Sequence, residues 1–249
     1  MCRYNLLMSM RNQKDYNLFC VGDDYQSIYR FSGSDVSLIT NFSKYFGEVY
    51  VSKIVNTYRF SDKMAKLSSE FVMKNKSQIR KVVKGYPSTN EPIEIIYSMS
   101  ELENALKGLP NYSSVFLLGR YNSDKDILKS SENFSYNYGE ILEVIYSKRI
   151  DLEIKYLTIH KSKGLQADYV FIINNKDKGS SFPSKIVEDT VIKKLLRSSE
   201  RYPFSEERRL LYVALTRSKV KTYLLVEKGN ASVFIKELIK DYKIDKKIT

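Results

Sequence analysis

Four short apolar runs, Val115–Leu118, Ile154–Ile159, Tyr169–Ile173 and Lys221–Val226, most constrain what this chain can fold into. Runs of four to six residues are too short for helices and suit buried strands. Stretches of helical period separate many of them. Strand–helix alternation predicts an α/β fold, with a mostly parallel sheet covered by helices on both faces. Shorter strands are expected at Leu18–Val21, Val51–Val55 and Ile93–Tyr97. Helices are expected over Met1–Arg11, with Leu6, Leu7 and Met10 on its apolar face, and over Asp35–Phe46, stopped by Gly47. Another follows Ser61 and carries Met64, Leu67, Phe71 and Val72 inward. Ser100 and Glu103 have the spacing of a capping box for a helix that ends at Gly108. The last helices are expected over Ile186–Leu196, over Glu206–Thr216 after a Ser205 cap, and over Val233–Lys240. Asn75–Asn90 reads as a basic surface connection and Asn122–Gly139 as a loop, while Glu140–Ser147 has a period that fits either helix or strand.

Charge narrows the function. The 249 residues hold 41 Lys and Arg against 29 Asp and Glu, a net +12, which favours a polyanionic partner, with nucleic acid ahead of an acidic membrane surface. No apolar run is long enough to span a bilayer, and Met1–Met10 lacks the apolar core and cleavage site of a signal peptide. Two cysteines, Cys2 and Cys20, make neither a disulfide framework nor a zinc site, and a lone His160 excludes a histidine-based metal cluster. A reducing, cytoplasmic setting is expected, with no metal ligands in this chain.

Four segments carry chemistry. In Val21–Ser34, VGDDYQSIYRFSGS, an apolar run stops at a glycine, and Gln26 can donate and accept hydrogen bonds. Tyr29, Arg30 and Phe31 then set two aromatic faces and a guanidinium side by side, a pattern suited to stacking on bases. A strand, a turn and a packed Phe is the plainer account. In Asn56–Arg59, Tyr58 can stack on a purine and Arg59 can grip a phosphate with its planar fork, though such a pair after a strand is often structural. In Tyr156–Gln166 a strand opens into Thr158, His160, Lys161, Ser162, Lys163 and Gly164, groups that bond phosphate oxygens or allow close backbone approach. The order is not that of a Walker A loop, and a solvated basic turn is the alternative. In Glu206–Arg217 an amphipathic helix ends on Arg217, placed to reach a transferring phosphoryl group or simply to complement the helix dipole; Arg208 and Arg209 are expected to pair with neighbouring carboxylates.

Taken in this order, VGDDYQSIYRFSGS, NTYRF, LTIHKSKGLQADYVFI and EERRLLYVALTRSK closely resemble motifs III to VI of the superfamily 1 DNA helicases of the UvrD/Rep type, nearest their helicase IV branch. The resemblance covers nearly the whole chain. It implies a RecA-like fold of the P-loop NTPase type, with residues 1–50 the last piece of a first motor domain and 51–249 the second. It implies ATP and Mg²⁺ as cofactors, 3′-to-5′ translocation, and single-stranded DNA and single-/double-strand junctions as partners, with a role in DNA repair. Gln26, Arg59 and Arg217 would act at the γ-phosphate. Tyr58, Gly164 and Gln166 would hold the nucleotide. Tyr29, Arg30, Phe31, Thr158 and His160 would meet DNA, with Phe31 as the stacking platform.

Three departures qualify this. Ser32 stands where many relatives have Arg, and Gln166 where many have Glu, so one DNA contact and one ribose contact are expected to differ. The Walker A loop and the acidic Mg²⁺-binding motif II are absent, so the chain alone is expected not to hydrolyse ATP and to need a partner N-terminal motor domain. The other function class is a non-catalytic DNA-binding or regulatory module derived from a helicase.

Overall fold

The structure, a computed structural model, describes residues 2–13, 17–177, 182–186, 200 and 202–244. The helix expected over Ile186–Leu196 falls almost wholly outside them. The strands are β1 Asn56–Ser61, β2 Lys84–Tyr86, β3 Ile93–Ile96, β4 Ser114–Gly119, β5 Phe134–Asn137, β6 Leu142–Tyr146, β7 Glu153–Thr158, β8 Ala167–Ile172 and β9 Ser218–Leu225. The helices are α1 Cys2–Gln13, α2 Ser37–Thr40, α3 Phe42–Phe46, α4 Asp62–Met73, α5 Met99–Lys107, α6 Ser205–Leu215 and α7 Val233–Tyr242.

A seven-stranded sheet runs in the order β3-β9-β8-β4-β7-β6-β5. Its first five strands are parallel, and β6 and β5 close one side as an antiparallel hairpin. The class expected from alternation is therefore the class found. Two apolar cores lie on the two faces. One gathers Met64, Phe71, Leu157, Ile159, Leu210, Val213 and Phe234 beneath α4, α6 and α7. The other gathers Leu102, Leu106, Leu117, Ile154 and Phe171 beneath α5. Both faces are covered, so the central strands are apolar throughout rather than alternating. Beside this sheet lies a parallel pair, β1 and β2. A Cβ on Gly85 would collide with the Phe60 and Ser61 backbone, so only glycine lets β2 approach so closely.

Several local expectations are corrected. Val51–Val55 is irregular, and the strand begins instead at Asn56, so the NTYRF segment is itself β1. Leu18–Val21 joins no sheet among the described residues, with Phe19 89% exposed. A buried strand requires neighbours, and none of the nine strands extends to it. Asp35–Phe46 forms two short helices broken at Asn41. In α1, Leu6 and Met10 stand exposed. The N-cap of α5 is Ser98, two residues before the expected one: its side chain accepts from the Glu101 N–H at 3.1 Å, and Glu101 accepts from the Tyr97 N–H at 3.0 Å. Glu103 instead holds Ser131, Asn133 and Tyr146. The stretch expected as a loop over Asn122–Gly139 holds a 3₁₀ segment, Asn122–Ser130, and β5, and β6 resolves Glu140–Ser147 as a strand. The cap of α6 is Phe204; Ser205 turns back to the Tyr202 carbonyl at 2.6 Å.

Candidate functional site

β7 and β8 are both parallel to β4. The connection 159–166 must therefore travel from the carboxyl end of β7 to the amino end of β8. Its two ends serve two groups of candidate residues. The segment 23–31 lies alongside it and meets both.

At the carboxyl end of β7, Tyr29, Phe31 and His160 form one aromatic cluster. Phe31 meets the His160 ring edge-on at 5.3 Å between centroids, and Tyr29 lies 6.1 Å from Phe31 and 6.0 Å from His160. The Tyr29 hydroxyl donates to the His160 carbonyl at 3.2 Å. Phe31 remains 55% exposed, a half-open apolar face. Thr158 ends β7, half-buried, and its hydroxyl accepts from the Lys161 N–H at 3.3 Å. Ser32 closes the turn by donating to the Tyr29 carbonyl at 2.8 Å. Arg30 is placed differently from the expectation. It is only 8% exposed, its backbone N–H donates to Glu206 at 2.7 Å, and its guanidinium lies 4.0 Å from Glu200. Carboxylates draw it inward, so it braces the turn instead of presenting a charge at the surface.

Burial, and then the nearby Arg120 guanidinium, depress the His160 pKa to about 4, against a hydrogen bond to the Ile28 backbone that opposes the shift. An unfolded histidine takes up its proton near pH 6.5. Between about pH 6.5 and pH 4 the unfolded chain thus binds a proton the folded chain refuses, and His160 lowers stability as pH falls through that window. His160→Gln is expected to lose less stability than the parent between those limits, with the two parallel above them. Thermal unfolding against pH reads this out, and identical profiles would contradict it.

Toward the amino ends of β8 and β9, cationic and amide groups gather. Gln26 donates to Asp23 at 2.6 Å, and the Lys163 ammonium donates to the Gln26 carbonyl at 2.9 Å while facing the Tyr29 ring at 5.0 Å. Arg59, on β1, donates to Gln166 at 3.1 Å. Tyr58 beside it is 90% exposed. Gly164 has φ +89°, a conformation that favours glycine, and open space where a Cβ would lie. Arg217 is 1% exposed and directed back at the Val213 and Leu165 carbonyls, at 2.8 and 3.3 Å, and at the Thr216 hydroxyl. A guanidinium projecting from the end of α6 is the expectation; the observed one is covered, because it is held by the Val213 carbonyl of its own helix, the Leu165 carbonyl of the neighbouring connection and the Thr216 hydroxyl. Burial, then the neighbouring Arg59 charge, lower its pKa to about 10, with Asp23 and Tyr212 acting in the opposite sense. Lys163 is also lowered, first by burial, with Arg217 adding repulsion against Asp23. Three cations crowded this way are relieved by an anion among them. Arg59 and Gln166 are in contact and the Arg59 charge reaches Arg217, while Gln26 is tied to Asp23 and, through its carbonyl, to Lys163.

Sequence reasoning places Lys163 among the phosphate-bonding groups of the His-Lys-Ser-Lys-Gly run but assigns it no role at the site. It also misses Arg120, which leaves β4 and pairs with Glu207 at 2.9 Å. As expected, Arg208 and Arg209 pair with carboxylates: Arg208 with Glu237 at 2.7 Å, and Arg209 with Glu200.

Residues 140–229 match the family described as the UvrD-like helicase C-terminal domain, and residues 2–47 match the UvrD/REP helicase N-terminal domain. DNA helicase IV of Escherichia coli is 33% identical over 97% of this chain and 34% of its own length. A probable DNA helicase of Mycoplasma pneumoniae is 26% identical over 91% of this chain and 42% of its own length. DNA helicase II of Rickettsia typhi is 34% identical over 36% of this chain and 14% of its own length. The chain thus spans less than half the length of these relatives.

Proposed function

Because the chain belongs to the UvrD/Rep-type family of DNA helicases, we propose that it supplies the C-terminal part of an ATP-dependent 3′-to-5′ DNA motor. Residues 1–50 belong to the first RecA-like domain in this reading, and 51–249 form the second. The carrying observation is the joint placement of two groups along one connection: Tyr29, Phe31 and His160 at one end, and Gln26, Arg59, Lys163, Gln166 and Arg217 at the other.

The first group takes single-stranded DNA at a junction, with bases on Phe31 and Thr158 along the strand. The second takes the γ-phosphate of ATP, with Tyr58 on the adenine and Gly164 and Gln166 beside the nucleotide. Mg²⁺ and the β-phosphate are held by the N-terminal motor domain. The run Leu18–Val21, which joins no strand among the described residues, supports a sheet of that domain as its neighbour. Uncovering Arg217 would accompany phosphate binding, since its donors are otherwise spent on carbonyls. A helicase-derived module without an engine is the weaker reading, because Arg59 and Gln166 stay paired beside the Arg217 charge.

The test is single-stranded DNA binding by the 249-residue chain, titrated with salt. Neutralised phosphates release counterions, so affinity is expected to fall on the order of tenfold or more between about 50 and 200 mM salt. No binding at low salt, or binding indifferent to salt, would overturn the DNA reading.

A further inference from the structure

Between α4 and β2 runs a stretch that carries none of the four motif segments and reads, in sequence, as basic surface. Gln78 and Lys81 in it are not surface groups. Gln78 is 5% exposed, and the Lys81 ammonium sits among Asp23, Asp24 and the Tyr25 ring.

The contacts form a closed set. Asp24 is buried, and its carboxylate accepts from the Gln78 amide at 2.7 Å, from the Ile79 N–H at 2.7 Å and from Lys81 at 2.8 Å. Lys81 also pairs with Asp23, and lies 3.7 Å from the centre of the Tyr25 ring. Asp23 in turn accepts from the Gln26 side chain at 2.6 Å. On its other side Gln78 accepts from Arg209 at 3.1 Å, and Arg209 donates to the Ser27 carbonyl at 2.5 Å. Two adjacent carboxylates on one short turn repel each other, and one is out of water. A single cation between them reverses both penalties.

We propose that Gln78 and Lys81 form a clasp that fixes the Val21–Ser34 segment against the α4–β2 connection and α6, and so positions both Gln26 and Phe31. They are positioning residues: Lys81 acts through Asp23 on Gln26, and Gln78 ties Asp24 to Arg209 of α6. The functional weight of the clasp rests on the reading of that segment as the DNA- and phosphate-facing element. Its mechanical part does not.

The experiment uses the full chain with Lys81→Met, Lys81→Arg and Gln78→Leu. It has two readouts: amide hydrogen exchange over residues 24–32, and binding of a labelled oligothymidylate at several salt concentrations. Lys81→Met is expected to speed exchange over 24–32 and weaken DNA binding about tenfold, the scale of one lost base stack, without changing the salt slope. Lys81→Arg is expected to restore both. Gln78→Leu leaves no charge unpaired and is expected to speed the same amides, so it decides the matter if Lys81→Met fails to fold. Unchanged exchange in both Lys81→Met and Gln78→Leu would overturn the clasp. So would weaker binding with a slope smaller by about 0.7 and unchanged exchange, which marks Lys81 as a direct phosphate ligand. If the parent chain binds no DNA, the functional reading fails, and the exchange results still decide the clasp.

Discussion

Glu237→Ala is expected to destabilise the chain by about 3–5 kcal/mol, the usual cost of leaving a buried charge without its partner. Arg208 is 5% exposed and walled by aromatic rings, its guanidinium carbon 4.3 Å from the centre of Phe71, 5.1 Å from Phe234 and 5.4 Å from Tyr202. Glu237 meets it with both oxygens, at 2.7 and 2.9 Å. Burial pushes the Glu237 carboxyl up, but Arg208 and Lys74 outweigh it and hold the group below its usual range. Without Glu237, Arg208 keeps the Phe71 carbonyl at 3.0 Å, and among the described residues its Nε still lacks a partner. Denaturant unfolding measures the loss directly, and the melting temperature should drop by roughly 10 °C. The double variant Arg208→Met, Glu237→Leu should recover most of it, because two apolar side chains in that cage leave nothing charged to desolvate. A loss below about 1 kcal/mol in Glu237→Ala would mean that the pair is compensated elsewhere.

Phe31→Ala is expected to weaken single-stranded DNA binding by roughly ten- to a hundredfold, given about 1–3 kcal/mol for each stacked base. The ring is half exposed, so the fold loses little when it is removed. Its contacts are with Tyr29 and His160, the same groups assigned to DNA. Affinity should fall with the salt slope unchanged, because an uncharged ring releases no counterions. Fluorescence anisotropy with a labelled oligonucleotide reads both quantities. An affinity equal to the parent's would remove Phe31 from the interface.

The central sheet was legible because its strands are local. Val115–Leu118 and Tyr169–Ile173 announce themselves by composition over four or five residues; the first lies within β4, and the second overruns β8 by only Ile173. The hairpin β5–β6 was not legible. β5 is short, half-exposed and rich in Ser, Tyr and Asn, the period of β6 fits either state, and pairing of β6 with β7 and of β5 with β6 decides both. Leu18–Val21 failed for the opposite reason: composition marked a strand, and the sheet to receive it is not among the described residues. In the site, residue types marked Gln26 and Arg59 and the resemblance added Gln166; the fold sets Arg59 on Gln166 and Gln26 on Asp23. What sequence alone cannot supply is side-chain direction. Arg30 and Arg217 resemble surface cations until their nearest acceptors, which lie far along the chain or on the same helix, are known. Lys81 and Gln78 were missed because a solvated Lys and a buried one look alike in a basic stretch.

The stretch around Leu18–Val21 also governs how the isolated chain behaves as a material. Phe19, Val21, Tyr50, Val51 and Ile54 all face outward, and Leu18–Val21 keeps the composition of a strand without being one. Segments of that kind recruit copies of themselves edge to edge. The net charge of +12 opposes such contacts at low ionic strength. Salt shortens the reach of that repulsion to about 8 Å at physiological strength. Concentrated samples should therefore stay dispersed in dilute buffer and turn cloudy as salt is added, the reverse of what protects most basic proteins during purification.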